Sequence, residues 1–276
     1  MSDSMSVFNR SVVRLHRNRA AATINDCDFL LNEAGDRLAD RLDDIRRRFP
    51  KALDLGCHDG RLGRCLRGRG GIETLVHCDL SPEMARLAAP PCLAADEEFL
   101  PFAEGTFDLI MSCLSLHWVN DLPGALIQTR RILKPDGLFL ASMLGGRTLK
   151  ELRQALAEAE IYVEGGLSPR ISPFAEVKDA GDLLRRAGFA LPVADSDAVT
   201  VYYSDPLKLM ADLRAMGEGN AVIERRKTLS RRATLIEAAK RYREMFGDRD
   251  GRVPATFEII TLTAWAPTPS QQKLNR

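Results

Sequence analysis

"ALDLGCHDGRLGRCLRGRG", residues 52–70, decides the fold. An apolar strand runs to Leu55, breaks into a glycine-bearing turn, and re-forms as a helix. In a βαβ unit such a turn lays backbone N–H groups and a helix N-terminus against a ligand, and glycine removes the Cβ that blocks close approach. The glycines are Gly56, Gly60 and Gly63, spaced G-x-x-x-G-x-x-G. That differs from the dinucleotide G-x-G-x-x-G. Asp54 is a further difference, because dinucleotide loops follow a strand that stays apolar to its end. His58 stands where such a loop most comfortably carries glycine.

Outward from this turn the chain alternates strand and helix. "TLVHCD" (74–79) reads as a strand, followed by a helix with Ser81 as N-cap and Pro82 in its first turn. "CLAAD" (92–96) is a short strand and "FDLIMSCL" (107–114) an apolar strand of the buried type. A helix over 122–133, a "KPDG" turn and a strand at 137–144 follow. The alternation predicts an α/β, doubly wound, mostly parallel sheet with helices on both faces. Before it, Leu30, Leu31, Ala34, Leu38, Leu42 and Ile45 form one helical stripe. After it come helices over 147–163 and 178–187, a strand at 198–204, helices filling 205–246, and a strand at 256–266. The expected organisation is an N-terminal helical segment (1–50), a ligand-binding core (51–144), lid insertions with the last strands of the same sheet (145–267), and a disordered tail (268–276).

The first three strands each end in, or close to, a carboxylate: Asp54, Asp79 and Asp96. Asp79 lies nineteen residues beyond Gly60, where an acid accepts from ribose hydroxyls. Asp96 is placed to accept from an adenine amino group. Three acids at one sheet edge suit a cofactor with ribose, adenine and a cationic amino-acid end, and repel one with phosphates.

The 276 residues carry a net charge of +1, so no overall positive field draws the chain to nucleic acid or anionic membrane. No apolar run reaches the roughly 18 residues of a spanning helix. Six cysteines lie in the first half, none in C-x-x-C, which reads as free thiols in a reducing compartment. The first 24 residues hold Arg10, Arg14, Arg17 and Arg19 with Asp3 as the sole acid. They read either as a basic helix docked near the active site or as a mitochondrial transit peptide. Localisation follows: cytoplasmic in the first reading, mitochondrial matrix in the second.

"LDLGCHDGRL", "HCDLSPEM", "ADEEFLPFAEGTFDLIMSCLSLHWVND" and "ILKPDGLFLASM" together resemble the class I S-adenosylmethionine-dependent methyltransferases. The resemblance implies a seven-stranded, Rossmann-like sheet whose last strand is antiparallel. Within that class "FNRSVVRLHRNRAA", "EGGLSPRISPF", "DLLRRAGF", "GEGN" and "VPATFEIITLTAWAP" are similar to the respiratory complex I assembly factor 5 group. S-adenosyl-L-methionine is then the implied cofactor. Gly56 and Gly60 would frame its methionine end, with Asp54 at the ammonium, Asp79 at the ribose, and Asp96 with Glu97 at the adenine. Cys57, His58 and Leu80 adjoin these positions, and the stretch from Ser112 to Trp118 would floor the sulfonium. The family loop carries glycine where His58 stands.

The resemblance further implies a protein partner, a complex I subunit modified on arginine by methylation or hydroxylation. Two other functions stay open: a malonyl-carrier-protein or small-molecule carboxylate methyltransferase, and an assembly chaperone without turnover. His117 is the candidate general base, with a backbone-bonded structural histidine as the alternative. His77 and Asp79 form an H-x-D pair like half of a metal triad, although Asp79 already has the ribose role. Glu164, Glu218 and Asp205 are acids available to a guanidinium. The basic stretch 224–244 reads as a solvated helix face or a dock for an acidic protein.

Overall fold

The computed structural model describes residues 6–268. The predicted tail falls outside that range except for its first residue. The N-terminal segment gives α1 (Arg10–Ala20) and α2 (Phe29–Asp43). The central part gives β1 (Lys51–Leu55), α3 (Arg61–Leu66), β2 (Thr74–Asp79), α4 (Pro82–Ala85), β3 (Cys92–Ala94), β4 (Phe107–Cys113), α5 (Leu122–Ile132) and β5 (Leu133–Leu144). Then follow α6 (Lys150–Glu164), α7 (Val177–Arg186), β6 (Ala190–Tyr203), α8 (Pro206–Ala215), α9 (Arg232–Phe246) and β7 (Val253–Trp265).

The strands order as β3-β2-β1-β4-β5-β7-β6. Pairs from β3 through β5 are parallel, and β7 runs antiparallel to both β5 and β6. Alternation along each strand divides the core. Ala52, Leu109, Leu138 and Leu140 face α2, α6, α8 and α9. Their neighbours Leu53, Ile110, Phe139 and Ala141 face α5 and α7. Because the order reverses between β1 and β4, the carboxyl ends of β1, β2 and β4 open a crevice of the kind where ligands bind in doubly wound sheets.

Three expectations need correction. β6 starts at Ala190 rather than 198, because it pairs with β7 along nearly its whole length. The "KPDG" segment lies within the continuous run of β5, with Asp136 at φ 62° supplying the local kink. Residues 216–231 interrupt the expected helices, so only 232–244 of the basic stretch is helical. All six cysteines are free thiols. Among the described residues no helix is long and apolar enough to cross a membrane.

Candidate functional site

β1 ends in a turn that only glycine fits at its first position. Gly56 has φ +70°, and a Cβ there would lie 2.0 Å from Ser115 Oγ. The N–H groups of Gly56 and Cys57 both donate to the Cys78 carbonyl, at 2.7 and 2.9 Å. His58 takes φ 49°, so a side chain occupies the left-handed region at a cost of about 1 kcal/mol. Its ring is buried beneath the turn. Nε2 lies 3.2 Å from the Cys113 carbonyl and 3.3 Å from that of Leu114, so it carries the proton and donates. Nδ1 is buried without a partner. His58 lies under the loop and leaves the space between Asp79 and Glu97 open to another group.

That group is Arg17. Asp79 is fixed by its own neighbourhood: Ser81 N–H donates to Oδ1 at 2.7 Å and His58 N–H to Oδ2 at 3.0 Å. Arg17 Nη1 lies 3.4 Å from both Asp79 oxygens and 3.0 Å from Glu97 Oε1, and Nη2 donates to Ser115 Oγ at 2.8 Å. Ser115 in turn donates to Glu97 Oε1 at 2.7 Å. Arg10, two turns earlier on the same helical face, donates to Asp96 at 2.6 Å, to Glu97, and to the Trp118 carbonyl at 3.1 Å. The acids at the ends of β2 and just beyond β3 therefore converge on one locus, and two arginines of α1 hold them there.

Burial alone would raise the Glu97 carboxyl, but Arg17, Arg10 and the Ser115 hydroxyl together hold it at about 2. The folded value lies below the ordinary 4.5, so the stabilisation is complete above pH 4.5 and fades as pH falls toward 2. Linkage gives a loss of roughly 1 kcal/mol by about pH 3.5 and roughly 3 kcal/mol by about pH 2. Urea midpoints measured against pH are expected to fall more steeply for the native chain than for Glu97→Gln. Parallel curves would remove Glu97 as a contributor.

The other sequence candidates separate from this locus. Asp54 turns to β2, where His77 Nδ1 lies 3.0 Å from its Oδ2, while its Oδ1 has no partner. Burial raises the Asp54 carboxyl against the pull of His77. The H-x-D pairing of His77 with Asp79 does not form, since His77 belongs to Asp54 and Asp79 to the loop and Arg17. Among the described residues no cluster of three or more His, Cys, Asp or Glu side chains is arranged to hold a metal ion. Cys57 is buried and its thiol is pushed well up by that burial. Ser112 is buried in β4 with an unpartnered hydroxyl. Leu80 packs beside the small cluster of Phe8, Val13 and Trp118.

His117 has both ring nitrogens engaged. Nε2–H donates to Glu218 Oε2 at 3.0 Å, and Leu144 N–H approaches Nδ1 at 3.5 Å. The candidate base is held in one orientation, between a carboxylate on one side and a backbone N–H on the other. Trp118 Nε1–H donates to the same carboxylate at 3.1 Å. Burial works against the Glu218 charge, yet His117, His58 and Arg17 keep its pKa below the ordinary value. Among the three acids left open by the sequence, Glu164 is taken by Arg170 and Arg226, and Asp205 caps α8 and pairs with Arg243. Glu218 alone of the three adjoins His58, in a narrow cavity lined by Leu30, Leu31, Leu114 and Leu144.

The locus suits a nucleoside. Its hydroxyl and amino hydrogens need acceptors, and Asp79 and Glu97 are acceptors already serving N–H donors. The glycine at 56 lets Ser115 close against the turn, whose N–H groups at 56, 57, 58 and 60 fix its shape by donating to Cys78, Asp79 and Cys57. The fold and this donor set define a class I S-adenosylmethionine-dependent methyltransferase, with S-adenosyl-L-methionine as cofactor.

Comparison with known proteins agrees. The family described as a methyltransferase domain matches residues 53–141. The arginine-hydroxylase NDUFAF5, mitochondrial, of Danio rerio is 46% identical over 276 residues, covering 98% of this chain and 85% of that protein. A malonyl-[acyl-carrier protein] O-methyltransferase of Laribacter hongkongensis is 37% identical, covering 94% of this chain and 90% of that protein. The solved YcgJ protein of Bacillus subtilis shares the fold at 14% identity, with a TM-score of 0.57 over 83% of this chain and 97% of that one. The chain belongs to the NDUFAF5 family within the class I methyltransferases.

Proposed function

We propose that the protein modifies an arginine side chain of a respiratory complex I subunit, by methylation or hydroxylation. Residues 51–144 serve as its cofactor-binding core and 145–267 as its substrate side. Asp79 takes the ribose, Asp96 and Glu97 the adenine, and the Gly56–Gly60 turn with Cys57 and His58 the amino-acid end. When bound, S-adenosyl-L-methionine supplies an activated methyl group. Position is then the chief contribution of the protein.

One observation carries the arginine reading beyond similarity to an arginine hydroxylase. Glu218 is a carboxylate kept ionised and oriented by two N–H donors at the edge of a largely apolar gap of about 10 Å³, which a guanidinium enters only once the lining side chains part. A planar guanidinium is the cation that pairs with a carboxylate through parallel N–H bonds. His117 acts through Glu218 as a positioning residue. The apolar walls exclude water, which strengthens that pairing.

The test is intact-mass analysis of the candidate subunit after incubation with the purified protein, S-adenosyl-L-methionine, dioxygen and a two-electron reductant, the last two being what a hydroxylation consumes. A gain of one CH2 means methyl, a gain of one oxygen means hydroxyl, and no gain on arginine sinks the reading. Methylation of a malonyl-carrier thioester instead would transfer the assignment to the carboxylate methyltransferases, which one relative's name favours. Glu218→Gln keeps the shape but loses the charge. Turnover on the protein substrate is expected to fall by about tenfold to a hundredfold, from the loss of roughly 1.5–3 kcal/mol of charge-assisted bonding. Equal turnover would remove Glu218 from the substrate side.

A further inference from the structure

The carboxylates expected to receive the nucleoside are serving donors from the same chain. Arg17 is 1% exposed, and its guanidinium lies among Asp79, Glu97 and Ser115. A ribose on Asp79 and an adenine near Glu97 would draw on the acceptor oxygens that this guanidinium now occupies.

α1 and the residues leading into it are tied to Asn120 and Ser81, and most extensively to the segment 217–223. Phe8 bridges Val222 in antiparallel fashion, Asn9 N–H donates to the Ala221 carbonyl at 2.8 Å, and Ile223 N–H donates to the Val7 carbonyl at 2.9 Å. His16 Nδ1 lies 3.2 Å from the Gly219 carbonyl. Contact is so close that a Cβ on Gly219 would come within 3.0 Å of that ring, and one on Gly217 within 3.2 Å of Ala20. The segment 217–223, which carries Glu218, is therefore joined to α1 along its length, while Asn220 also ties it to the Pro169 carbonyl. By contrast, the apolar attachment of α1 is slight. Its buried face holds Val13, Arg17 and Ala20; Ala20 joins the main core on the α2 side, while Val13 joins a small separate cluster with Phe8, Trp118, Ala221 and Val222. What fastens α1 is chiefly charge pairing with the crevice acids.

We propose that α1 is a displaceable plug of the cofactor crevice, and that its withdrawal moves the 217–223 loop and so couples cofactor binding to the setting of Glu218. The proposal rests on the cofactor assignment given above. Cofactor binding draws on the fraction of molecules with Arg17 withdrawn, so measured affinity is the intrinsic affinity reduced by that fraction. The Glu218 carboxylate, held by Trp118 and His117 on one side and carried by the moving loop on the other, changes register as the plug leaves. A protein substrate then meets a competent acid only on the cofactor-loaded form.

Calorimetry with S-adenosylhomocysteine on the full chain tests this. Arg17→Ala is expected to bind about tenfold tighter than the native chain. Asn120→Ala removes the acceptor of the Val7 and Phe8 N–H groups without touching the crevice acids, and is expected to shift affinity the same way by a smaller factor. If Arg17→Ala fails to unfold cooperatively, Asn120→Ala and hydrogen exchange decide. In the native chain, S-adenosylhomocysteine should speed exchange in 7–20 and 217–223. Weaker or equal binding in the variants, with slower or unchanged exchange in α1, overturns the plug and leaves the cofactor in place. Binding to none of the forms overturns both.

Discussion

Asp79→Asn is expected to weaken S-adenosylhomocysteine binding by at least about a hundredfold. A ribose diol on a carboxylate makes two charge-assisted bonds worth roughly 1.5–3 kcal/mol each, and every 1.4 kcal/mol is tenfold in affinity. The amide also meets the wrong neighbours. Ser81 and His58 both donate N–H groups to Asp79, one to each oxygen, so the new NH2 must face a donor whichever way it turns. An opposing effect exists, because Asp79 is one of the partners that hold Arg17 in the crevice. It is the smaller effect. The Arg17–Asp79 distances are 3.4 Å, at the limit of hydrogen bonding, while Glu97 at 3.0 Å and Ser115 at 2.8 Å still retain the guanidinium. The net change is therefore a loss, readable by calorimetry. Near-native affinity in a folded Asp79→Asn protein would mean the ribose lies elsewhere.

Phe257→Ala carries the largest expected cost in stability, about 3–5 kcal/mol. Phe257 is wholly buried on β7, and its ring meets Phe29 of α2 edge-to-face at 6.1 Å. The flanking residues tie the same strand to α6 and the turn before it: Thr256 Oγ1 donates to Glu151 at 2.6 Å, and Glu258 N–H donates to Thr148 Oγ1 at 3.1 Å. With strand and helix both pinned, the surroundings close only partly over the void, which keeps the cavity cost high. For a chain of this size that is a drop in Tm of about 10 °C. The measurement is a urea or thermal midpoint. A change under 1 kcal/mol would mean that β7 repacks freely.

Much of this was readable in the residues. The strand-turn-helix at 52–70, the apolar run at 107–114 and the long last strand need only local rules, and each appears with the expected neighbours. The start of β6 did not show, because "LPVADSD" carries a proline and two aspartates, and its strand character comes from pairing with β7, a contact between distant residues. Asp54 looked like a crevice acid because it precedes the loop. Its direction is set by the alternation of β1 and by His77 opposite it in register, which sequence spacing alone does not weigh. The basic first helix was legible as a helix docked near the site. Arg10 and Arg17 lie seven apart, two turns on one face, and that spacing was the available signal that both reach the same acids. Glu218 could not be ranked against Glu164, since only the fold reveals that Arg170 and Arg226 take the latter.

The bridge between Phe8 and Val222 has a consequence for biosynthesis. His16 and its partner Gly219 are 203 residues apart, so the opening helix leaves the ribosome long before the segment that receives it exists. During that interval only the acids of the sheet edge are on hand to hold the arginines of α1, and the strand-like pairing with 221–223 closes over the helix once that later segment has emerged.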